Sequence, residues 1–302
     1  MSDDPRPVRR ILASIALSPR AEAVAGEAIE LARRFGAALS FVHVGADDAD
    51  RRERVAQVLA RIAGDTPPPF EIRSGDPAEV ICDAGRDAGA DLIVAGALEK
   101  EGFLEGLRGS VARRIARLAP CSALLITEPS REGSLSGRVV VGIGDPSTGS
   151  GESDDGDGLV RFAAAFAQAT GAKYLHLVRE FDPLVSRVAE SSGETAVDPE
   201  TQRLWATQAR LELTELLAGV DTTGLVTEAA CLEGRYGMEM VEYALRVEAD
   251  LTIFPLPRRR LNFWDRFFHH SAENVLERLP CAVLFYREPE SASKDGTSQE
   301  GS

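Results

Sequence analysis

The residues best placed to do chemistry lie in one glycine-rich run, G-A-L-E-K-E-G-F-L-E-G-L-R-G-S, from Gly96 to Ser110. Glycine lets a backbone approach an anion closely, and the start of a helix offers free N–H groups at the positive end of its dipole. Gly96, Gly109 and Ser110 are therefore candidates for holding a phosphate, and Lys100 could add a cation. Glu99 works against this, because an exposed carboxylate at that place repels phosphate by about 1 kcal/mol. The same residues also suit a tight turn followed by an ordinary serine N-cap, and spacing alone leaves both readings open.

The matching run in the second half is P-L-P-R-R-R-L-N-F-W-D-R-F-F-H-H-S, from Pro255 to Ser271. Without glycines its backbone cannot easily cradle phosphate. Arg258, Arg259 and Arg260 form a cationic cluster in an acidic chain. They could hold a phosphate or an acidic partner by charge-assisted hydrogen bonds, or form a solvated, ion-paired turn. Phe263, Trp264, Phe267 and Phe268 suit either packing beneath the loop or a protein-docking patch, since Trp and Arg are enriched at interface hot spots. Asp265 and His269 would share a helix face, but no third ligand has suitable spacing, so no metal is expected. His43 and His176 read as structural residues ending equivalent strands. No Ser-His-Asp order, GxSxG elbow, Walker loop or GxGxxG fingerprint occurs, so the chain reads as a non-enzyme. Nucleotide hydrolysis is the remaining enzymatic alternative.

These residues sit on a repeated framework. ADLIVAGALEK in the first half matches EADLTIFPLPR in the second, with Asp91 opposite Asp250. GSVARRIARLAPCSALLITEP matches HSAENVLERLPCAVLFYREP, with Cys121 opposite Cys281. RFGAALSFVHV resembles ATGAKYLHLV, and the second half carries extra residues around FDPLVSRVAESSGETAVDPETQ. Each half alternates apolar strands with amphipathic helices, which predicts a parallel sheet covered on both faces. In the first half, Gly36 should end a helix starting at Ala21, and Asp76-Pro77 should open another. Ser110 should cap VARRIARLA. The expected organisation is a first domain over 7–129, a linker over 130–136, a second domain over 137–289 and a disordered tail over 290–302. The stretch STGSGESDDGDG reads as a mobile acidic loop.

Composition sets the outer bounds. The net charge of −14 argues against nucleic acid as a partner, which would require a surplus of Lys and Arg. No apolar run approaches the ~20 residues that span a bilayer, so no membrane insertion is expected. The N-terminal MSDDPRPVRR lacks the apolar stretch of a signal peptide, and the four cysteines (Cys82, Cys121, Cys231, Cys281) are scattered. Both features point to a cytoplasmic protein with reduced thiols.

The glycine-rich run resembles the universal stress protein (UspA) family motif, G-x-x-G-(x)9-G-(S/T). Gly96, Gly109 and Ser110 match it, while Glu99 replaces its second glycine. RRILASIAL, SGDPAEVICDAG and APCSALLIT resemble other parts of the family pattern, and the second half follows it more weakly. The resemblance implies two tandem UspA-like α/β domains of the adenine nucleotide alpha hydrolase-like, Rossmann-type class. Each would be a five-stranded parallel sheet of order 3-2-1-4-5 flanked by helices, with self-association through the closing strands. It further implies a cytoplasmic regulatory protein of the stress response that could bind ATP or AMP in the first domain, at Gly96, Lys100, Gly109, Ser110 and Ser18. Ala16 stands where the family's first strand carries Asp. In the second half Gly144 takes that place, with Asp145 one residue on, and Pro255 replaces the first loop glycine. The alternative is an interaction module that binds no nucleotide and works through a dimeric surface, with Arg258, Arg259, Arg260 and Trp264 as its partner patch.

Overall fold

The computed structural model describes residues 7–18, 21–64, 66–96, 110–126, 135–144, 156–181, 199–234, 238–256, 279 and 281–289. The first unit contains β1 (Arg10–Ser14), α1 (Ala21–Phe35), β2 (Ala38–Val44), α2 (Ala49–Ala63), β3 (Phe70–Arg73), α3 (Pro77–Asp87), β4 (Leu92–Gly96), α4 (Ser110–Leu118) and β5 (Ser122–Ile126). The second contains β6 (Arg138–Ile143), α5 (Gly156–Thr170), β7 (Tyr174–Phe181), α6 (Pro199–Ala218), β8 (Val226–Glu233), α7 (Met238–Arg246), β9 (Leu251–Pro255) and β10 (Ala282–Tyr286).

Local chemistry explains several boundaries. Asp76 accepts hydrogen bonds from the N–H groups of Ala78 and Glu79, and Pro77 fits the first turn of α3 where its missing N–H costs nothing. Asp48 caps α2 by accepting from the Arg51 N–H. Gly36 follows α1 at φ 61°, a left-handed turn that glycine adopts without strain. The acidic stretch of the second unit differs from its expected form at one end. Gly156, Asp157 and Gly158 open α5 instead of staying in the loop. Asp157 suits the positive end of the helix dipole, and a Cβ at Gly158 would stand 3.5 Å from the Tyr286 hydroxyl.

The ten strands form one sheet in the order β3-β2-β1-β4-β5-β10-β9-β6-β7-β8. Within each unit the pairing is parallel, and each unit has the expected 3-2-1-4-5 order. The units meet where β5 and β10 pair antiparallel, with Leu124 opposite Leu284. Both edges of both closing strands are therefore filled within the chain.

Successive strand residues face opposite layers, which produces two cores. Phe41, Leu59, Phe166, Leu175 and Leu213 are buried in one, under α1, α2, α5 and α6. Leu12, Ile93, Ile115, Leu125 and Phe254 are buried in the other, against α3, α4 and α7. The first layer continues across the joint, where the Phe35 and Phe166 rings lie 5.2 Å apart. Burying each ring contributes roughly 1.5–3 kcal/mol. Glu27 of α1 also reaches the joint, accepting a hydrogen bond from the Leu135 N–H.

The matched aspartates prove to be strand clamps. Asp91 accepts from the N–H groups of Arg9 and Arg10 at 2.9 and 2.8 Å, tying the start of β1 to β4. Asp250 accepts from the Arg138 N–H at 2.7 Å, tying β6 to β9 in the same way.

Candidate functional site

In an open parallel sheet, ligands bind beyond the carboxyl ends of the strands where the strand order reverses. In the first unit that place lies between β1 and β4, which pair directly. Beyond β1, the Ile15 N–H donates to the Val42 carbonyl at 2.9 Å, and the His43 ring nitrogen Nδ1 donates to the Ile15 carbonyl at 2.7 Å. His43 thus fixes the backbone that leads to Ser18. The Ser18 Oγ is buried and has no hydrogen-bond partner among the described residues. Such a group costs about 1–3 kcal/mol until something bonds to it.

Gly96 ends β4, opposite Ile126 of β5. A Cβ at Gly96 would stand 3.1 Å from Val24 Cγ2, so packing against α1 is itself a reason for glycine here. Helix α4 begins at Ser110 and leads into β5, which runs parallel to β4. Its N-terminus therefore opens at the same carboxyl edge. Arg114 donates to Asp76 at 2.6 Å and to Glu79 at 3.0 Å, fastening α4 to the start of α3. The Arg114 guanidinium holds the Asp76 carboxyl below its usual pKa. The structure thus brings Ser18, Gly96 and the start of α4 to one edge. Lys100, Glu99, Gly109 and the Ser110 side chain lie outside the described residues.

The second unit offers a different edge. Gly144 follows β6, with no described neighbour within 4 Å of a would-be Cβ. Pro255 pairs with Tyr286 as Gly96 pairs with Ile126, which confirms their equivalence. Proline there has no N–H to offer an anion. The first turn of α7 already holds a carboxylate: Glu180, 5% exposed, accepts from the Met240 N–H at 2.7 Å. Reading the sequence missed this cap because Glu180 lies far from α7 along the chain. Asp145, Arg258, Arg259, Arg260, Phe263, Trp264, Asp265, Phe267, Phe268, His269 and His270 lie outside the described residues. Among the described residues, no three His, Cys, Asp or Glu side chains are grouped as a metal site needs. Nor is any described helix long and apolar enough to cross a membrane.

The histidines are not equivalent. Ala38 pairs with Arg10 and Tyr174 pairs with Arg138, so His176 corresponds to Ser40 and not to His43. His176 also lies early in β7 and not at its end.

Residues 45–127 and 137–287 match the sequence model of the Universal stress protein family. The chain belongs to the universal stress protein family. Its fold also matches solved structures over nearly its whole length. A universal stress protein from Archaeoglobus fulgidus is 16% identical with a TM-score of 0.65, covering 95% of this chain and 98% of its own. A protein of unknown function from Pseudomonas aeruginosa is 18% identical with a TM-score of 0.63, covering 94% of each chain. At these identities the likeness is one of fold. No protein with a curated description matches the chain in sequence.

Proposed function

We propose that this universal stress protein is a regulatory protein of the stress response that binds an adenine nucleotide, ATP or AMP, at one site per chain, in its first unit. The observation that carries this reading is the buried Ser18 hydroxyl beyond the carboxyl end of β1, unpartnered among the described residues. A phosphate or ribose oxygen would satisfy it. The start of α4 adds the positive end of a helix dipole at that edge. Gly109, Ser110 and Lys100 would complete the phosphate contacts, and Gly96 would keep the strand end open. Glu99 and the Ala16 substitution weaken the site but do not remove its helix terminus.

The second unit acts as a structural copy on this reading. Pro255 and the Glu180 carboxylate replace the features that would receive an anion. The two units self-associate through β5 and β10 inside one chain. Calorimetric titration with ATP and AMP should show one site per chain, weakened by Ser110→Tyr. No heat and no thermal shift at millimolar nucleotide would refute the reading. Turnover of ATP above a Ser110→Ala control would replace it with a hydrolase.

A further inference from the structure

The amino ends of β6, β7 and β8 line an open cleft of about 600 Å³ that the first unit lacks the residues to build. Its walls include Arg138, Tyr174, His176, Glu228, Arg246 and Glu248. Arg138 lies over the Tyr174 ring at 4.7 Å, and Arg246 lies over the Tyr243 ring at 5.0 Å. Among the described residues neither guanidinium forms an ion pair. Two cations are thus held in place by aromatic faces, with their hydrogen-bond donors left for something else.

Behind them His176 and Tyr243 are buried side by side. The His176 Nδ1 lies 2.8 Å from the Tyr243 hydroxyl, and that hydroxyl also bonds to the Glu228 carboxylate. The Glu228 carboxylate also lies 3.5 Å from the same Nδ1. The His176 Nε2 is buried and has no hydrogen-bond partner among the described residues. The ring itself is 5% exposed, and burial holds its pKa below the ordinary value.

Comparison of the two units shows how the cleft arises. In the first, Ala38 and Ser40 replace Tyr174 and His176. The Arg10 guanidinium there closes over Gly89, within 3.0 Å of where a Cβ would be. Gly89 sits at φ 56° after α3, and Glu248 sits at φ 53° after α7. A side chain at that turn denies Arg138 the position Arg10 takes. The left-handed backbone of Glu248 is a strained choice where glycine would do, and such strain concentrates at ligand sites.

We propose that this cleft binds a small zwitterionic amino-carboxylate, a free amino acid or a close derivative of one. Arg138 and Arg246 receive the carboxylate. Glu228 and Glu248 face the ammonium, and together they oppose a plain dianion such as phosphate. The amino acid's own side chain would lie against Tyr174 and Val226. The cleft and the nucleotide site share no residue, so each proposal can fail alone.

Saturation-transfer NMR with the full chain and mixtures of the free amino acids tests this, followed by calorimetry on any that bind. At least one amino acid should bind, and its C-terminal amide and N-acetyl derivative should each bind about tenfold or more weakly. Arg246→Gln and, separately, Tyr174→Ala should lower affinity by a similar factor, with unchanged far-UV circular dichroism, while Ser18→Ala should not. The proposal fails if no amino acid binds at about 10 mM, where a Kd of 1 mM would nearly fill the site. It also fails if inorganic phosphate binds more tightly than every amino acid, or if binding survives both Arg246→Gln and Tyr174→Ala.

Discussion

Replacing Glu27 by Gln should stabilise the protein, and only above mildly acidic pH. Glu27 is 8% exposed, and burial pushes its carboxyl up from 4.5 to about 7 despite the Leu135 N–H and Arg34. Between those values the folded chain holds a proton on Glu27 that the unfolded chain has lost. Stability from this group is thus fully present below about pH 4.5 and falls as pH rises to about 7. A tenfold change in proton affinity is worth about 1.4 kcal/mol, so the charged form costs roughly 3 kcal/mol near pH 8. Glutamine keeps an oxygen for the Leu135 N–H and never ionises. Thermal unfolding should therefore place Glu27→Gln above the parent by about 6 °C at pH 8, taking about 2 °C per kcal/mol for a chain this long. At pH 4.5 the two should unfold together. Equal melting temperatures at pH 8, or a lower one for Glu27→Gln, would refute the reasoning.

Three further outcomes follow from the geometry. Ser18→Ala removes an unsatisfied buried hydroxyl, so the ligand-free melting temperature should hold or rise by about 2 °C while ATP affinity falls. A loss of stability would mean that Ser18 is bonded within the fold. Asp250→Ala orphans the half-buried Arg138 N–H and should cost about 1–3 kcal/mol in urea unfolding. Asp91→Ala frees exposed N–H groups that water can satisfy, so it should cost less. Equal costs would show that the clamps are not graded by exposure. Burial pushes the Cys82 and Cys281 thiols up to about 11 and Cys121 up to about 12. Ellman's reagent at pH 8 should thus label no more than Cys231 in the native protein and all four cysteines after unfolding. Rapid labelling of two or more native thiols would contradict that burial.

The framework was legible because its signals are local. Asp76 followed by Pro77, and glycine after a helical run, act within a few residues and fold as read. The repeat located Asp91 and Asp250 but could not give their task, since each bonds to a strand start roughly eighty or more residues upstream. The carboxyl edge was legible only in part. Motif spacing pointed to Gly96 and Ser110, yet the orphaned Ser18 hydroxyl and the Val24 contact that also explains Gly96 required packing. The amino-end cleft left no trace in the sequence. Its residues come from three strands and a helix end, and His176 looked like a counterpart of His43 until strand register separated them.

The antiparallel pairing of β5 with β10 turns the second unit upside down relative to the first. The carboxyl ends of β1 and β4 and the amino ends of β6 and β7 therefore point the same way, along one rim of the sheet. Some five strand spacings separate the two places, roughly 25 Å. No single small molecule reaches across that distance, but one folded domain does. A partner settling on this rim would read the occupancy of both sites at once, whereas on the opposite rim it would meet Pro255, the Glu180 cap and the clamped start of β1.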